Sequence, residues 1–282
     1  MIFSLVERNI KLYFRDKASV FFSMLSVLII IGLYVLFLGE LVKGSGSAAG
    51  DAARFLTDSW IMAGVIATAT VTTTLGALGQ MVDDLARKIN RDFETAPIKR
   101  WMIVLSYILS SITIGILMSL FTFALAEVYI VIYGGEVVSF LAFIKMLGII
   151  VLSTITSSSF LFFFVSLVKT MNAFSVISTI VGTLIGFLMG IYVPIGILPT
   201  AIQYVIKVFP PSHAASLMRQ IMINEVIDLS YLSTDTLQEL GIRFFFGDTF
   251  LSPLVSILLL IGTTVVFFGI SVWVLSKRKR ES

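Results

Sequence analysis

The sequence predicts an all-α polytopic membrane protein with six transmembrane helices, an N-terminal interfacial amphipathic helix, and an outer-leaflet re-entrant helical hairpin between spans five and six. Two observations carry this. Only 13% of the 282 residues are charged and 57% are hydrophobic, with a mean hydropathy of +1.02, whereas ordinary soluble domains carry about 25% charged residues. The charges also fall in narrow bands between six long apolar runs, each reaching the roughly 20 residues that cross a hydrocarbon core of about 30 Å. Residues 1–282 therefore read as one membrane domain.

Residues 1–17 form the interfacial helix. Ile2, Val6, Ile10 and Tyr13 share one face, while Glu7, Arg8, Lys11 and Arg15 lie elsewhere around it. It either anchors the N-terminus or makes gating or partner contacts. The expected spans are 18–38, 59–81, 102–126, 146–168, 173–192 and 251–275. The first is longer than the apolar core of a signal peptide and lacks a small-residue cleavage site, so it is expected to remain as an anchor. The fifth apolar run has 37 residues, too few for two full spans with a turn. Pro194, Pro199 and Pro210 interrupt the chain around its end, so 194–223 is read as the outer re-entrant region and 224–248 as an outer loop.

Lysine and arginine set the orientation, because they are retained on the cytoplasmic side of short loops. With both termini cytoplasmic in a multi-pass cell-membrane protein, fourteen of the twenty basic residues fall inside, including the Lys277 to Arg280 cluster. Placed at span ends, these charges are topology signals and imply no nucleic-acid partner. The chain has no cysteine and one histidine, which removes disulfides, thiolate metal sites and cysteine nucleophiles and leaves no expected metal site.

The connection at 82–97 and the residues after it read VDDLARKINRDFETAPIKRW, with nine charges in twenty residues. Asp83 and Asp84 favour a helix start, Arg87 and Arg91 lie one turn apart, and Pro97 ends the segment. Such a helix along the membrane, with Asp92 adding charge and Phe93 as an apolar plug, suits a groove on a soluble partner. A solvated topology loop is the alternative. Within the spans, Thr70, Thr73, Thr74 and Ser157 belong to hydroxyl-rich stretches. These either pack helix against helix or line a pathway or dimer seam.

The N-terminal helix, this connection and the segment GIYVPIGILPTAIQYVIKVFPPSHAASLMRQ together resemble the ABC type-2 transporter permease family. The marker residues are Gly190, Pro194, Leu198, Pro199, Pro210 and Arg219, with Phe209 completing a stripe that reads as an outer-leaflet anchor or an exit gate. The resemblance implies an exporter of two permeases and two ATPase subunits, moving a drug, lipid or peptide cargo out of the cell. It implies that the 82–97 helix couples to the ATPase, and that a second permease, identical or not, and membrane lipid complete the assembly. The chain has no GxxxxGK[ST] loop, so no cofactor is expected on it, and ATP and Mg enter through a P-loop ATPase partner.

Two other classes compete. A lipid-modifying membrane enzyme would draw on Glu127, His213 and Glu225. Glu127, however, lies about 39 Å along a helix from Trp101, beyond the hydrocarbon core, and His213 reads as a surface residue of an outer loop. An ion-coupled carrier would place ionisable groups inside the spans, and the six apolar runs hold none.

Overall fold

The computed structural model describes residues 2–34, 36, 48–89, 98–246 and 249–277. Helix α1 (Ile2–Arg15) lies against the bundle, and α2 (Lys17–Leu33) starts directly after it. Asp16 makes that break: its carboxylate accepts from the Ala18 and Ser19 amides at 3.1 and 3.2 Å and from the Ser19 hydroxyl. These bonds cap α2 and hold the Asp16 carboxyl below its ordinary range.

The next three helices are α3 (Ala48–Ala86), α4 (Arg100–Ile132) and α5 (Phe140–Ser166). They are followed by α6 (Met171–Leu188), α7 (Thr200–Val208) and α8 (Pro210–Asn224), and the C-terminal α10 (Pro253–Lys277) comes after a short α9 (Thr234–Glu239). Ser139 and Thr170 cap α5 and α6 through their hydroxyls. Among the described residues, five helices are long and apolar enough to cross a membrane: α3, α4, α5, α6 and α10. The first expected span is represented by the 17 residues of α2.

Helix α3 is the axis of the bundle. Most of its length is buried, and α2, α4, α5, α6 and α8 all pack on it. Both α3 and α4 run past the expected limits 59–81 and 102–126. An α-helix satisfies its backbone internally and has no need to stop where the apolar residues do. The expected segment 82–97 therefore does not begin as a separate helix: Val82 to Ala86 are the last turn of α3. A Schellman turn ends it, with the Ile89 amide bonded to the Asp84 carbonyl at 2.9 Å, the Lys88 amide to the Leu85 carbonyl at 3.2 Å, and Lys88 at φ 63°. Arg91, Asp92, Phe93 and Pro97 lie outside the described residues.

The segment 194–223 is a helix–turn–helix. A short 3-10 turn (Ile195–Ile197) leads into α7, and Pro210 breaks the chain and opens α8. Helix α8 is buried among α3, α5 and α10. In the expected loop 224–248 the described residues 224–246 are instead folded, holding a 3-10 turn (Leu229–Tyr231), α9, and strand β1 (Phe245–Phe246), which pairs antiparallel with β2 (Thr249–Phe250).

Thr70, Thr73, Thr74 and Ser157 are fully buried at helix contacts inside the protomer. Thr73 returns its hydroxyl to the Ala69 carbonyl at 2.6 Å, and Thr70 bonds Ser153 on α5 at 2.7 Å. Helices cross closely at Gly115 on α4, where an added Cβ would lie 2.5 Å from Thr74 Oγ1 and 2.6 Å from Thr154 Cγ2. Gly115→Val is expected to destabilise the fold by about 1–3 kcal/mol through overpacking, read as a lowered midpoint of thermal unfolding in detergent.

Candidate functional site

At the α1 end of the bundle a buried carboxylate joins three helices. Asp84, on the last turn of α3, is 1% exposed. Arg8 of α1 grips it with both guanidinium nitrogens, Nη1 to Oδ2 at 2.8 Å and Nη2 to Oδ1 at 3.1 Å. Tyr107 of α4 donates its hydroxyl to Oδ2 at 2.6 Å, and Gln80 donates to Oδ1 at 2.9 Å. Arg8 also donates to the Asn9 side-chain Oδ1 at 3.0 Å, and the Nδ2 of buried Asn9 donates to Ser110 Oγ on α4 at 3.4 Å. The paired carboxylate raises the Arg8 guanidinium above its already high ordinary value. A bidentate charged pair of this kind fixes orientation as well as distance. Neighbouring Asp83 and Arg87 form only an exposed i,i+4 pair at 2.9 Å, which contributes little.

Beside this knot a cleft of about 700 Å³ opens between α1, α2, α3 and α6. Asp16, Ser19, Gln80, Asp83, Arg87 and Ser178 make its wall polar, while Leu12, Phe22 and Phe174 add apolar surface. Gln80 belongs to both the knot and the cleft. Phe174 seats α6 on α3 at Gly79, where a Cβ would meet the ring at 2.9 Å. The rest of α6 is largely bare, with Val176, Ile180, Leu184 and Phe187 exposed.

The opposite end of α3 is held by a cation. Trp60 lies 24 residues before Asp84 in the sequence, about 36 Å along the helix. There Arg219 of α8 is fully buried, its guanidinium 5.0 Å from the Trp60 ring centroid. Its Nη2 donates to the Met189 carbonyl at 2.5 Å and to the Gly190 carbonyl at 3.2 Å, and longer contacts reach Trp60 and Gly241 carbonyls at 3.4 and 3.5 Å. Gly190 and Gly241, at φ 63° and 61°, end α6 and α9 in left-handed turns. The negative ends of two helices thus face one cation. Among the described residues no carboxylate forms an ion pair with it.

A family model described as ABC-2 type transporter matches residues 1–223. The chain belongs to the ABC-2 type transporter family. It is the membrane-spanning permease component, a class that works with an ATPase subunit. The match spans α1 to α8 and includes both the Asp84 knot and Arg219. Residues 224–282 lie outside the match, which leaves out the folded segment before α10. No match is found among curated proteins.

The structure places the sequence-derived ABC-2 residues unevenly. Asp84 is buried and Arg87 is exposed. Pro194 and Pro199 precede the 3-10 turn and α7, Leu198 joins these elements, and Phe209 packs its ring edge-on to Phe160 at 5.9 Å before Pro210 opens α8. His213 is corrected: it is a fully buried residue of α8, its Nε2 2.8 Å from the Lys207 carbonyl and its Nδ1 3.2 Å from Ser256 Oγ. Pro210 and Pro211 begin a helix there, so His213 falls on its inner face. Sequence reading missed the pairing of Arg8 with Asp84, because nothing local links residues 76 positions apart. It also missed Asp58, buried about three turns into α3, which accepts a hydrogen bond from Tyr34.

Arg219→Ala is expected to destabilise the protein by about 3 kcal/mol or more, since hydrogen bonds to charged groups contribute about 1.5–3 kcal/mol each. Arg219→Lys is expected to recover less than half of that, because a point charge cannot serve two helix ends as the planar fork does. Thermal unfolding of the purified variants measures both.

Proposed function

We propose that this chain is the permease half of an ATP-driven exporter, and that the Asp84 knot carries the ATPase stroke into the spans. The observation behind this is the convergence of α1, α3 and α4 on one buried carboxylate at the end of the bundle where the charged connection leaves α3. A push on α1 or on the 82–97 connection is then delivered to α3 and α4 together. In this reading Arg87, Arg91, Asp92, Phe93 and Pro97 contact the partner, while Asp84 positions the helices that receive the force. ATP and Mg are held by the partner.

The cleft beside the knot supports an amphipathic cargo, since it pairs ionic groups with the rings of Phe22 and Phe174. The bare apolar face of α6 supports a second permease meeting the first there, because an exposed stripe of large side chains is suited to burial against another helix. Under this topology α1 and both termini are cytoplasmic, and Pro194, Leu198, Pro199 and Phe209 stand at the exit side.

Copurification from mild detergent is expected to recover a P-loop ATPase with this chain, with ATP-driven transport in vesicles requiring both. Arg8→Ala and Asp84→Asn are each expected to keep the ATPase bound but to lower transport by roughly tenfold. Their effects on stability should be non-additive by about 0.5–3 kcal/mol, as for residues in direct contact. A chain that purifies alone and transports without ATP would overturn the reading, and additive effects would remove the knot from it.

A further inference from the structure

A groove of about 610 Å³, sharing no lining residue with the cleft, runs between α4 and α5. Leu120, Phe123 and Ala124 of α4 and Phe143 and Leu147 of α5 line it, and Phe123 and Phe143 stack at 5.9 Å between centroids. Its volume is that of a small-molecule site, which spans about 300–1,000 Å³. One end carries a carboxylate. Glu127 Oε2 accepts from the Val138 amide at 3.1 Å, whereas Oε1 is buried with no hydrogen-bond partner. A second carboxylate stands at the same turn, with Glu225 Oε2 accepting from the Ser139 amide at 2.8 Å. Among the described residues, neither carboxylate has a cation in an ion pair.

Depth decides what can fill it. Trp101 marks the α1 end of α4, as aromatic residues do at membrane interfaces, and Glu127 lies about 39 Å further along the helix. The carboxylates therefore sit at the headgroup level of the far leaflet, and the apolar walls run from there into the hydrocarbon core of about 30 Å. A buried carboxylate oxygen without a donor is costly. A partner that brings both an N–H-bearing cation and an apolar body would satisfy this oxygen and fill the groove together.

We propose that the groove holds one ethanolamine-headed membrane lipid, its ammonium donating to Glu127 Oε1 and one acyl chain lying along Leu120, Phe123, Phe143 and Leu147. The lipid is a resident of the leaflet opposite α1 and is separate from the cargo cleft. The Glu225 carboxylate adds to the negative field that draws the ammonium. A choline head has a cation but no N–H, so it cannot make the bond.

The test is native mass spectrometry of the full chain in mild detergent, with dioleoylphosphatidylethanolamine in equimolar competition with its mono-, di- and trimethylated derivatives. The wild type is expected to retain the ethanolamine lipid over the trimethylated one roughly tenfold, the ratio given by about 1.4 kcal/mol. The fall should come at the third methyl, where the last N–H is lost. Glu127→Gln should bring the ratio close to one, and Leu120→Trp, which fills the groove, should lower retention of all four lipids. Equal retention of all four lipids by the wild type would overturn the proposal without any variant being needed. A tenfold preference persisting in folded Glu127→Gln would overturn it as well.

Discussion

A carboxylate buried at the end of the central helix ties three helices of the bundle together. Asp84 sits where water cannot compensate it, so its charge depends on Arg8, Tyr107 and Gln80. Removing one partner leaves the others around a poorly satisfied anion, which is why such pairs are strongly destabilising to break. That dependence fixes α1 to the bundle. An amphipathic helix alone would only float at the interface, but Arg8 bonded to Asp84 ties it to α3 and, through Tyr107, to α4.

The far end of α3 is organised by the opposite charge and a different partner. Arg219 is neutralised by peptide dipoles, with the ends of α6 and α9 turning their carbonyls toward it through Gly190 and Gly241. The folded segment around α9 is therefore joined to the spans: the Trp60 indole donates to the Leu240 carbonyl at 2.6 Å, and Lys207 donates to the Phe245 carbonyl at 2.7 Å. A segment rich in polar residues becomes a cover over α7 and α8 because the helices beneath supply its hydrogen-bond donors.

The architecture was legible in the sequence where one physical rule dominates. Apolar runs of span length gave the long helices, and Pro210 and Gly190 marked the breaks they make in the structure. Reading failed where burial depends on distant partners. Asp84 looked like a solvated charge at a helix start, yet it lies at a helix end and is enclosed by α1 and α4. The stop after Ala86 was equally hidden, because Lys88 takes a left-handed turn that sequence rules assign to glycine or asparagine. The hydroxyls of Thr70, Thr73, Thr74 and Ser157 were visible as a cluster, and only the structure shows that all four are buried, with Thr70 bonded across to Ser153 on α5 and Thr73 and Thr74 bonded back to their own helix.

The absence of cysteine makes the knot directly measurable. Spin labels at Lys11→Cys on α1 and Trp101→Cys on α4, both exposed and outside the proposed ATPase contacts, report the distance across it by pulsed electron resonance in the assembled transporter. A single narrow distance, the same without nucleotide and with trapped ATP, and broadened by Asp84→Asn, is the result expected if the three helices move as one body. A distance that shifts with nucleotide while the knot is intact, or that stays narrow in Asp84→Asn, would contradict it.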